Sequence, residues 1–508
     1  MTPLYMPEGN LPSVLLAENE VSEDQPMWID AETDSQTVTK SMARDLVRRL
    51  AHGYLSAGLV KPTAQPPSVV VLYSENQPIH FPNVLAVIAA GGTVATCPFE
   101  ILVQDSATMD VVGHDSKTSL LSHHRHHWDE SWNEEVANRA SLIVFSSGTT
   151  GFPKGVTISQ RNIIAMVYQM RSRWSSILHA RTRWPRAVGT LDSAHVAGMV
   201  GNCFLPLGLG LTNYLVPREN TDLLLRTLET RQINFMTAVP PILQRLTAHP
   251  GWSAADIPSL QHVVVGAARC PPDVQQAVTD RMAEGAFCQQ AWGMTELTCL
   301  ATMPVPGALG PWESVGTALD GNRIKICGED GAEVPVGQQG EVYISGPTKT
   351  IGYYGQTEEQ RRQVFVDEWM RTGDLGHVDS RGYLFITGRN KDLIKYNGTQ
   401  VSPLEIEGVV KGHNAVEDAA VVGQELEDGN ELPTAFVVLK DDVNVEDPAR
   451  LMEEIGAFTA KHVSPYKRLR GGVHRIPSIP RNAMGKVLYR ELRAMAQALR
   501  QKAVQSKL

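Results

Sequence analysis

The sequence predicts an α/β protein with three parts: a large N-terminal domain of α/β sheets, a small β-barrel-like subdomain within it, and a small α+β C-terminal domain. In the first half of the chain, short β-branched runs end in Gly or Ser turns and alternate with helical segments. From about 312, short strands alternate with Gly, Pro and Asp turns, and an α+β pattern begins after 388. We therefore predict domains at 1–388 and 389–508, with the β-rich subdomain at about 312–388.

Hydrophobic periodicity predicts the elements of the N-terminal domain in order. Apolar residues at helical spacing indicate a helix over 37–57. Short apolar runs, several of them β-branched, are typical of buried parallel strands. In the N-terminal domain such runs lie at 68–73, 91–98, 142–145 and 263–265.

The later elements are predicted in the same way. Strands are expected at 341–345 and 383–387 in the β-rich subdomain. In the C-terminal domain we expect strands at 419–422 and 434–439 and helices at 448–461 and 486–501.

Composition excludes several classes of protein. The 508 residues are 42% hydrophobic and 20% charged, which excludes collagen, intrinsic disorder and a disulfide scaffold. The net charge of −9 gives the chain no electrostatic reason to bind nucleic acid. The six cysteines contain no CxxC pair, which argues against a zinc or redox site.

Two segments invite a membrane or metal interpretation that we do not favour. The most apolar stretch, 194–216, includes His195, Asn202 and Pro206, so we predict a buried element and no membrane span. The histidine-rich tract 123–127 is interpreted as a polar surface loop, because nothing nearby completes a set of metal ligands.

One decapeptide, SSGTTGFPKG from Ser146 to Gly155, carries the strongest chemical signal. Its small residues allow backbone N–H groups to approach an anion, four hydroxyls add donors, and Lys154 adds a positive charge. This chemistry suits a polyphosphate. Pro153 stands where a Walker A loop would have its second glycine, so the segment is a different phosphate loop.

The decapeptide resembles the signature loop of the adenylate-forming superfamily, which includes acyl-CoA synthetases and 4-coumarate–CoA ligases. Further strings match that family in order: QAWGMTE at 290–296, RTGDL at 371–375, GRNKDLIK at 388–395, PLEIE at 403–407 and PRNAMGK at 480–486. The resemblance implies two steps. A carboxylate attacks the α-phosphate of ATP to give an acyl-adenylate and pyrophosphate, and a thiol, usually that of coenzyme A, then displaces AMP.

The resemblance also implies roles for residues of the N-terminal domain. Thr295 would hydrogen-bond the α-phosphate, and Glu296 would hold Mg²⁺, a hard cation that takes carboxylates together with phosphate oxygens. Trp292 occupies the position of the aromatic that stacks on adenine, usually Tyr or Phe, and Ala267 would contact the nucleotide. The loop residues expected to bind the phosphates are Ser146, Ser147, Gly148, Thr149, Thr150, Gly151 and Lys154.

Asp374 would accept both ribose hydroxyls, which a carboxylate does with its two oxygens. Arg389 would help to fix the ribose. Lys486 would supply the positive charge at the α-phosphate and the acyl carboxylate. It is an expected catalytic residue together with Thr295, Glu296 and His195.

The resemblance further implies that the small α+β C-terminal domain is mobile and rotates between the two steps. Lys391 falls at the hinge position, and hinges are short segments that absorb large φ/ψ changes. Lys395 and Gly398 would lie on the face used for thiol transfer, where coenzyme A binds.

The acyl pocket is expected beside His195, which the resemblance places at the entrance to that pocket among the catalytic residues. The other expected lining positions are small or apolar, and they are Val239 to Pro241, Gly266 to Ala268 and Ala291. They offer no charge for an ammonium or a second carboxylate, so amino acids are disfavoured. The choice between a fatty acid and an aryl acid stays open.

One departure from the family lies between Pro98 and Phe145, where the chain is shorter than usual. A helix–strand–helix unit is missing there, which predicts an exposed strand edge.

We predict an ATP-dependent carboxylate–CoA ligase acting on a fatty or arylalkanoic acid. One alternative transfers the acyl group to a carrier-protein thiol, and another is a nucleotide-binding protein without catalysis. The C-terminal Ser506-Lys507-Leu508 reads as a peroxisomal address, so an import receptor is an expected partner.

Overall fold

The computed structural model describes most of the chain. The described residues are 4–17, 21–34, 36–64, 66–72, 76–96, 122, 124–126, 134–146, 153–181, 185–308, 310–426, 429–440, 443, 447–482 and 485–505. Residues 147–152 of the glycine-rich loop, the C-terminal tripeptide and most of the segment after Pro98 lie outside these ranges. The predictions that fall on them are taken up with the site.

The chain forms two compact units. Unit 1 contains Met1–Ile324 and Ile344–Met370, and unit 2 contains Lys325–Tyr343 and Arg371–Leu508. The chain crosses from one unit to the other three times, and each crossing point lies within a strand. The predicted domain boundary at 388/389 and the limits of the β-rich subdomain stay predictions.

The strands are numbered along the chain. They are β1 (Pro26–Asp30), β2 (Thr37–Thr39), β3 (Val69–Leu72), β4 (Thr93–Thr96), β5 (Ala140–Ser146), β6 (Lys154–Ser159), β7 (Arg186–Gly189), β8 (Thr212–Leu215), β9 (Phe235–Ala238), β10 (His262–Val265), β11 (Phe287–Gln290), β12 (Thr302–Met303), β13 (Thr317–Ala318), β14 (Arg323–Cys327), β15 (Gly340–Ser345), β16 (Gly352–Tyr353), β17 (Phe365–Val366), β18 (Trp369–Val378), β19 (Leu384–Arg389), β20 (Ile394–Tyr396), β21 (Thr399–Val401), β22 (Val416–Glu425), β23 (Glu431–Leu439) and β24 (Val473–Arg475).

The helices are numbered in the same way. They are α1 (Leu11–Leu16), α2 (Lys40–Ser56), α3 (His80–Ala89), α4 (Glu134–Asn138), α5 (Gln160–Arg181), α6 (Val196–Gly198), α7 (Leu205–Leu209), α8 (Thr221–Thr230), α9 (Pro240–Thr247), α10 (Pro272–Thr279), α11 (Glu358–Val364), α12 (Pro403–Lys411), α13 (Pro448–His462) and α14 (Tyr489–Gln505). A π-helix spans Met199–Phe204, and 3₁₀ turns span Trp252–Ala254, Thr295–Leu297, Asn390–Asp392 and Pro465–Lys467.

The first sheet of unit 1 has the strand order β11-β10-β9-β7-β8-β1-β2. The strands from β11 to β1 run parallel, and β2 is antiparallel to β1. Strand β10 reads HVVV and is buried along its length, as expected for a strand covered on both faces. Because parallel strands end at the same edge, the loops after β7, β9, β10 and β11 lie together.

The second sheet of unit 1 has the order β16-β6-β5-β4-β3. Strands β3, β4 and β5 are parallel, whereas β6 and β16 add antiparallel partners. Among the described residues β3 is one edge of this sheet, and its Val69 and Val71 are 40% and 36% exposed. The shortened segment itself falls mostly outside the described residues, so the predicted deletion stays a prediction.

Helix α2 illustrates how tertiary pairing shifts a predicted boundary. The helix was expected from 37, but it begins at Lys40 because Thr37–Thr39 pairs with β1 as a β-branched strand. The Thr39 side chain then accepts a hydrogen bond from the Met42 N–H and caps the helix. The predicted helix at 37–57 is confirmed with this correction.

Strands β13 to β19 lie in the β-rich segment predicted at about 312–388. Over the described part of this segment the strands form open sheets, with no closed barrel.

Unit 2 is built on the sheet β22-β23-β24, and alternate residues of β22 enter two different apolar clusters. Ala419 and Val421 pack with residues of α12 and α13, such as Ile406. Ala420 and Val422 pack on the other face with Leu492 and further residues of α14. Helices therefore cover both faces of the strand.

The apolar stretch 194–216 folds into α6, the π-helix, α7 and β8, most of it buried. In the described part of the chain, no helix has the length and apolar character needed to cross a membrane.

Candidate active site

The two ends of the glycine-rich loop are held together by an antiparallel pair of strands. Ser146 ends β5, Lys154 begins β6, and the two residues are partners in the ladder. Structure is therefore described for the ends of the predicted phosphate loop. The predicted residues Ser147, Gly148, Thr149, Thr150 and Gly151 lie outside the described residues.

Glu296 lies beside these loop ends. Its side chain is buried, and its Oε1 accepts hydrogen bonds from the Tyr353 hydroxyl at 3.0 Å and the Ser146 hydroxyl at 3.4 Å. The Lys154 ammonium lies 5.2 Å from the centre of the Tyr353 ring. The structure thus brings three predicted residues into one cluster around Tyr353, which we define as the Glu296 cluster.

Sequence reasoning missed Tyr353. The residue enters the cluster because β16 pairs with β6, with Tyr353 opposite Val156, and no local pattern announces that pairing. Burial, and then the negative charge of Glu296, raise the pKa of the Tyr353 hydroxyl. The phenol therefore stays protonated and donates to the carboxylate.

The backbone around Glu296 is tightly constrained. Thr298 and Cys299 follow the 3₁₀ turn with φ of 54° and 111°, in the region that non-glycine residues rarely adopt. A Cβ on Gly293 would lie 1.8 Å from the Cys299 carbonyl oxygen, which explains the glycine in QAWGMTE. Thr295 opens the turn directly before Glu296, so the structure places both predicted residues side by side.

Ala267 and Trp292 follow two adjacent strands of the first sheet. Val265 and Gln290 are partners across β10 and β11, so the residues after them emerge at the same edge. Ala267 adopts φ of 68°, and the buried Trp292 pairs through its backbone with Thr302. This position at the carboxyl edge fits ligand binding in an α/β sheet.

His195 lies at the same edge, after β7. Its N–H donates to the Asp192 carbonyl at 3.1 Å, and its carbonyl accepts from the Met199 N–H at 2.8 Å. Gly198 packs so closely that a Cβ would lie 2.0 Å from the Asp192 carbonyl oxygen. The half-buried His195 thus belongs to a fixed loop, near the ends of β9 and β10 where the other expected pocket residues lie.

In unit 2, Asp374 and Arg389 face each other across β18 and β19. The Arg389 Nε lies 2.7 Å from Oδ1 of the buried Asp374. Sequence reasoning missed Glu341, which pairs with Arg371 at 2.8 Å and accepts from the Gly373 N–H at 3.3 Å. Glu341 thereby holds the turn that leads into Asp374.

Lys486 follows a tight turn in unit 2. Its N–H donates to Asn482 Oδ1 at 3.0 Å, its carbonyl accepts from the Asn482 N–H at 2.9 Å, and Gly485 adopts φ of 80°. The sequence predicted a helix from 486, but the turn occupies this position and α14 begins at Tyr489.

Lys395 and Gly398 lie on an exposed hairpin of unit 2. Asn397 and Gly398 form its two-residue turn, with φ of 48° and 75°, which is the geometry favoured in tight hairpins. The Lys395 N–H donates to Glu431 Oε2 at 2.8 Å, so the hairpin is anchored on the first residue of β23.

Two family descriptions match the chain. The AMP-binding enzyme model matches residues 99–354, and the AMP-binding enzyme C-terminal domain matches residues 405–486. This chain belongs to the AMP-binding enzyme family. The predicted resemblance is confirmed.

Similar proteins support the assignment to this family. The phenylacetyl-CoA ligase epaB of Aspergillus niger is 33% identical over 92% of this enzyme and 93% of that ligase. The acyl-CoA ligase azaF of Aspergillus niger is also 33% identical, over 92% of this enzyme and 95% of that ligase. ATP-bound MatB from Rhodopseudomonas palustris matches with a TM-score of 0.83 at 21% identity, covering 96% of this enzyme and 99% of MatB, which confirms the predicted fold class.

These findings confirm the predicted reaction class. The enzyme is an ATP-dependent, AMP-forming carboxylate–CoA ligase. The roles of individual residues, the metal and the identity of the acid stay predictions.

Proposed function

We propose that this AMP-binding enzyme activates an arylalkanoic acid or a fatty acid as its acyl-adenylate and transfers the acyl group to coenzyme A. The observation that carries the adenylation step is the Glu296 cluster. In it a buried carboxylate accepts a hydrogen bond from Ser146 at one end of the glycine-rich loop, and Tyr353 links that carboxylate to Lys154 at the other end. The similarity to a phenylacetyl-CoA ligase and the small, apolar residues at the expected pocket positions support the acid class.

Each of the two reaction steps forms one bond and breaks another. In the first step an acid oxygen bonds to the α-phosphorus of ATP while the bond to pyrophosphate breaks. In the second step the thiol sulfur bonds to the acyl carbon, AMP leaves with the oxygen, and the thiol gives up its proton. Both reactants of the first step are anions, so the enzyme must supply positive charge and oriented donors. We assign the charge to Lys486 and the donors to Thr295 and the loop.

Mg²⁺ is the metal that the fold family implies, and the residues present fit it. Mg²⁺ commonly uses one or two carboxylates together with substrate phosphates. Glu296 is a single buried carboxylate next to the phosphate loop, and its Oε1 accepts hydrogen bonds from two hydroxyl donors. We propose that Glu296 holds the ion, whose contribution is to neutralise phosphate charge.

Asp374 and Arg389 are proposed to bind the ribose of the adenosine, and Trp292 and Ala267 its base. The ion pair between Asp374 and Arg389 fixes the carboxylate in one orientation, which suits an acceptor for two hydroxyls. His195 is proposed to contact the acyl group, and Lys395 and Gly398 to contact coenzyme A.

The test is mass spectrometry of a reaction that contains the full chain, ATP, Mg²⁺, coenzyme A and a pool of phenylacetate, 4-coumarate, octanoate and palmitate. We expect one or more acyl-CoA products with an equal amount of AMP. Lys486→Ala should retain ATP binding and lose adenylation by about 10²–10³-fold. The control is Lys461→Ala, which removes an exposed lysine of the same unit. ATP binding without any acyl-CoA would contradict the proposal.

We also propose peroxisomal import through Ser506-Lys507-Leu508, which lie outside the described residues. A terminal SKL tripeptide is read by an import receptor. A fluorescent protein fused to the N-terminus of the full chain should enter peroxisomes, and deletion of the three residues should leave it in the cytosol. Import of the deleted form would refute this assignment.

A further inference from the structure

The loop that carries His195 is held by the side chain of Asn76, a residue far from this loop in the sequence. The Asn76 Oδ1 accepts from the Ser193 N–H at 3.1 Å and from the Ser193 hydroxyl at 2.6 Å. The Asn76 Nδ2 donates to the Leu191 carbonyl at 2.6 Å. One amide thus makes three hydrogen bonds to the residues that precede His195.

Two more side chains fix the same loop. The Thr96 hydroxyl donates to the Ala194 carbonyl at 3.1 Å, and the Asn202 Nδ2 donates to the Leu191 carbonyl at 2.7 Å. Asn202 belongs to the π-helix that follows the loop. Asn76 and Thr96 come from the second sheet, where Asn76 lies between β3 and α3 and Thr96 ends β4.

Asn76 after β3 and Thr96 at the end of β4 therefore help to hold a loop of the first sheet. We infer that Asn76 is a positioning residue for the acyl-binding part of the site, holding the 191–195 loop so that His195 meets the acyl group. This inference rests on the proposed function, because it takes the role of His195 from there.

The chemistry of an amide suits this task. The Asn76 oxygen has two lone pairs and accepts from both Ser193 donors, and the Asn76 NH₂ group donates to the Leu191 carbonyl. A carboxylate cannot donate to the carbonyl. An alanine removes the acceptor for both Ser193 donors and leaves the Leu191 carbonyl with the Asn202 amide. Small displacements of positioning groups cost large factors in rate, so the effect should appear in the handling of the acid.

The test is ATP–pyrophosphate exchange, which reads adenylation alone, with the acid from the pool above that gives the strongest signal. For Asn76→Ala we expect the KM for that acid to rise about tenfold, since a hydrogen-bonded group is lost from a positioned loop. The KM for ATP should stay within about twofold of the wild-type value, because the Glu296 cluster is untouched.

Asn234→Ala is the matched control. Asn234 also binds backbone through its side chain, accepting from the Arg186 N–H at 2.9 Å and donating to the Ser259 carbonyl at 3.3 Å. It does so at the opposite edge of the first sheet, where β7 begins. A stability loss alone should therefore affect both variants, whereas a change in the KM for the acid should be confined to Asn76→Ala.

Ser193→Ala is a second variant that tests the same inference if Asn76→Ala fails to fold. It removes one of the three hydrogen bonds and leaves the backbone donor, so a smaller rise in the KM for the acid is expected. Where both single variants fold, the double variant should resemble Asn76→Ala, because both changes act through the same loop.

The outcomes separate this inference from the proposed function. A KM for the acid that changes equally in Asn76→Ala and Asn234→Ala, or equal changes in the KM for the acid and for ATP, would overturn the inference while the ligase stands. Absence of exchange with every acid in the wild-type enzyme would overturn the proposed function and this inference with it.

Discussion

At the scale of single residues, the contact between Tyr353 and Glu296 links the glycine-rich loop to the carboxylate proposed to hold the metal. The phenol donates to Oε1, and its ring lies under the Lys154 ammonium. Tyr353 therefore orients one predicted residue and contacts another. We therefore propose that Tyr353 positions Glu296.

Tyr353→Phe should weaken adenylation while the fold is retained. The ring and its contact with Lys154 remain, but Glu296 loses a donor, and a hydrogen bond to a charged group is worth about 1.5–3 kcal/mol. We expect kcat/KM for ATP in pyrophosphate exchange to fall about 10–100-fold, together with a higher Mg²⁺ concentration at half-maximal rate.

Tyr354→Phe is the control for that change, because the neighbouring tyrosine is 60% exposed and its hydroxyl has no part in the Glu296 cluster. If the two variants show the same kcat/KM and the same Mg²⁺ dependence, Tyr353 does not position Glu296.

Gly293→Ala should destabilise unit 1 strongly. The new Cβ would lie 1.8 Å from a backbone oxygen, where no flexible side chain can move aside, and overpacking costs about 1–3 kcal/mol or more. The expected result is a lower thermal unfolding midpoint and loss of activity. At Gly201, where a Cβ would first meet Thr237 at 3.6 Å, the same substitution should be tolerated. An unchanged midpoint for Gly293→Ala would show that the turn after Glu296 is more adaptable than described.

At the scale of elements, the sequence predicted what local pattern determines and missed what distant pairing determines. The strands at 69–72, 93–96 and 262–265 match β-branched or small-residue runs that are buried in parallel sheets. The start of α2 and the start of α14 were displaced, in one case by pairing with β1 and in the other by the turn at Asn482.

The same distinction applies to the site. Motif residues such as Glu296, Asp374 and Lys486 could be named from the resemblance, because each lies in a recognisable string. Tyr353 and Asn76 could not, because each reaches its partner through the packing of strands that are far apart in the chain.

A buried carboxyl links three elements of unit 2. Glu407 of α12 accepts from the Val421 N–H of β22 at 2.9 Å and from the Tyr489 hydroxyl of α14 at 3.1 Å. Burial raises the pKa of Glu407 to about 7, against the lowering effects of the Val421 N–H and of Lys411. The folded state therefore holds the proton more tightly than the unfolded chain does.

The stability of unit 2 should consequently depend on pH. A raised acid pKa contributes stability that is fully present below the unfolded value of about 4.5 and is lost as pH rises through about 7. The wild type should lose on the order of 3 kcal/mol across this window relative to Glu407→Gln. Hydrogen-exchange protection of the β22 amides in the full chain, corrected for intrinsic rates, measures the difference.

Glu405→Gln is the control for this prediction, because Glu405 is an exposed residue of the same helix. A pH dependence that is the same in the wild type and in Glu407→Gln would assign the effect to other groups.

At the scale of the whole molecule, the hinge prediction can be tested without reference to any one arrangement of the two units. Lys391 is exposed and lies in the 3₁₀ turn between β19 and β20. Lys391→Pro fixes φ and removes an N–H, so it should oppose a change of backbone conformation at this residue.

We expect Lys391→Pro to release pyrophosphate at close to the wild-type rate and to form acyl-CoA at least about tenfold more slowly, because only the second step requires the changed conformation. Lys391→Ala keeps the backbone free and should perform both steps. If the proline variant loses both steps equally, Lys391 is not the hinge residue.

The alternation along β22 also bears on how unit 2 evolves and folds. Successive residues of this strand belong to different apolar clusters. Inserting or deleting one residue would therefore turn each side chain beyond that point toward the opposite cluster. Neither core can complete its packing before the shared strand is in register. The two apolar clusters of unit 2 therefore share one strand, and we expect them to fold and unfold together.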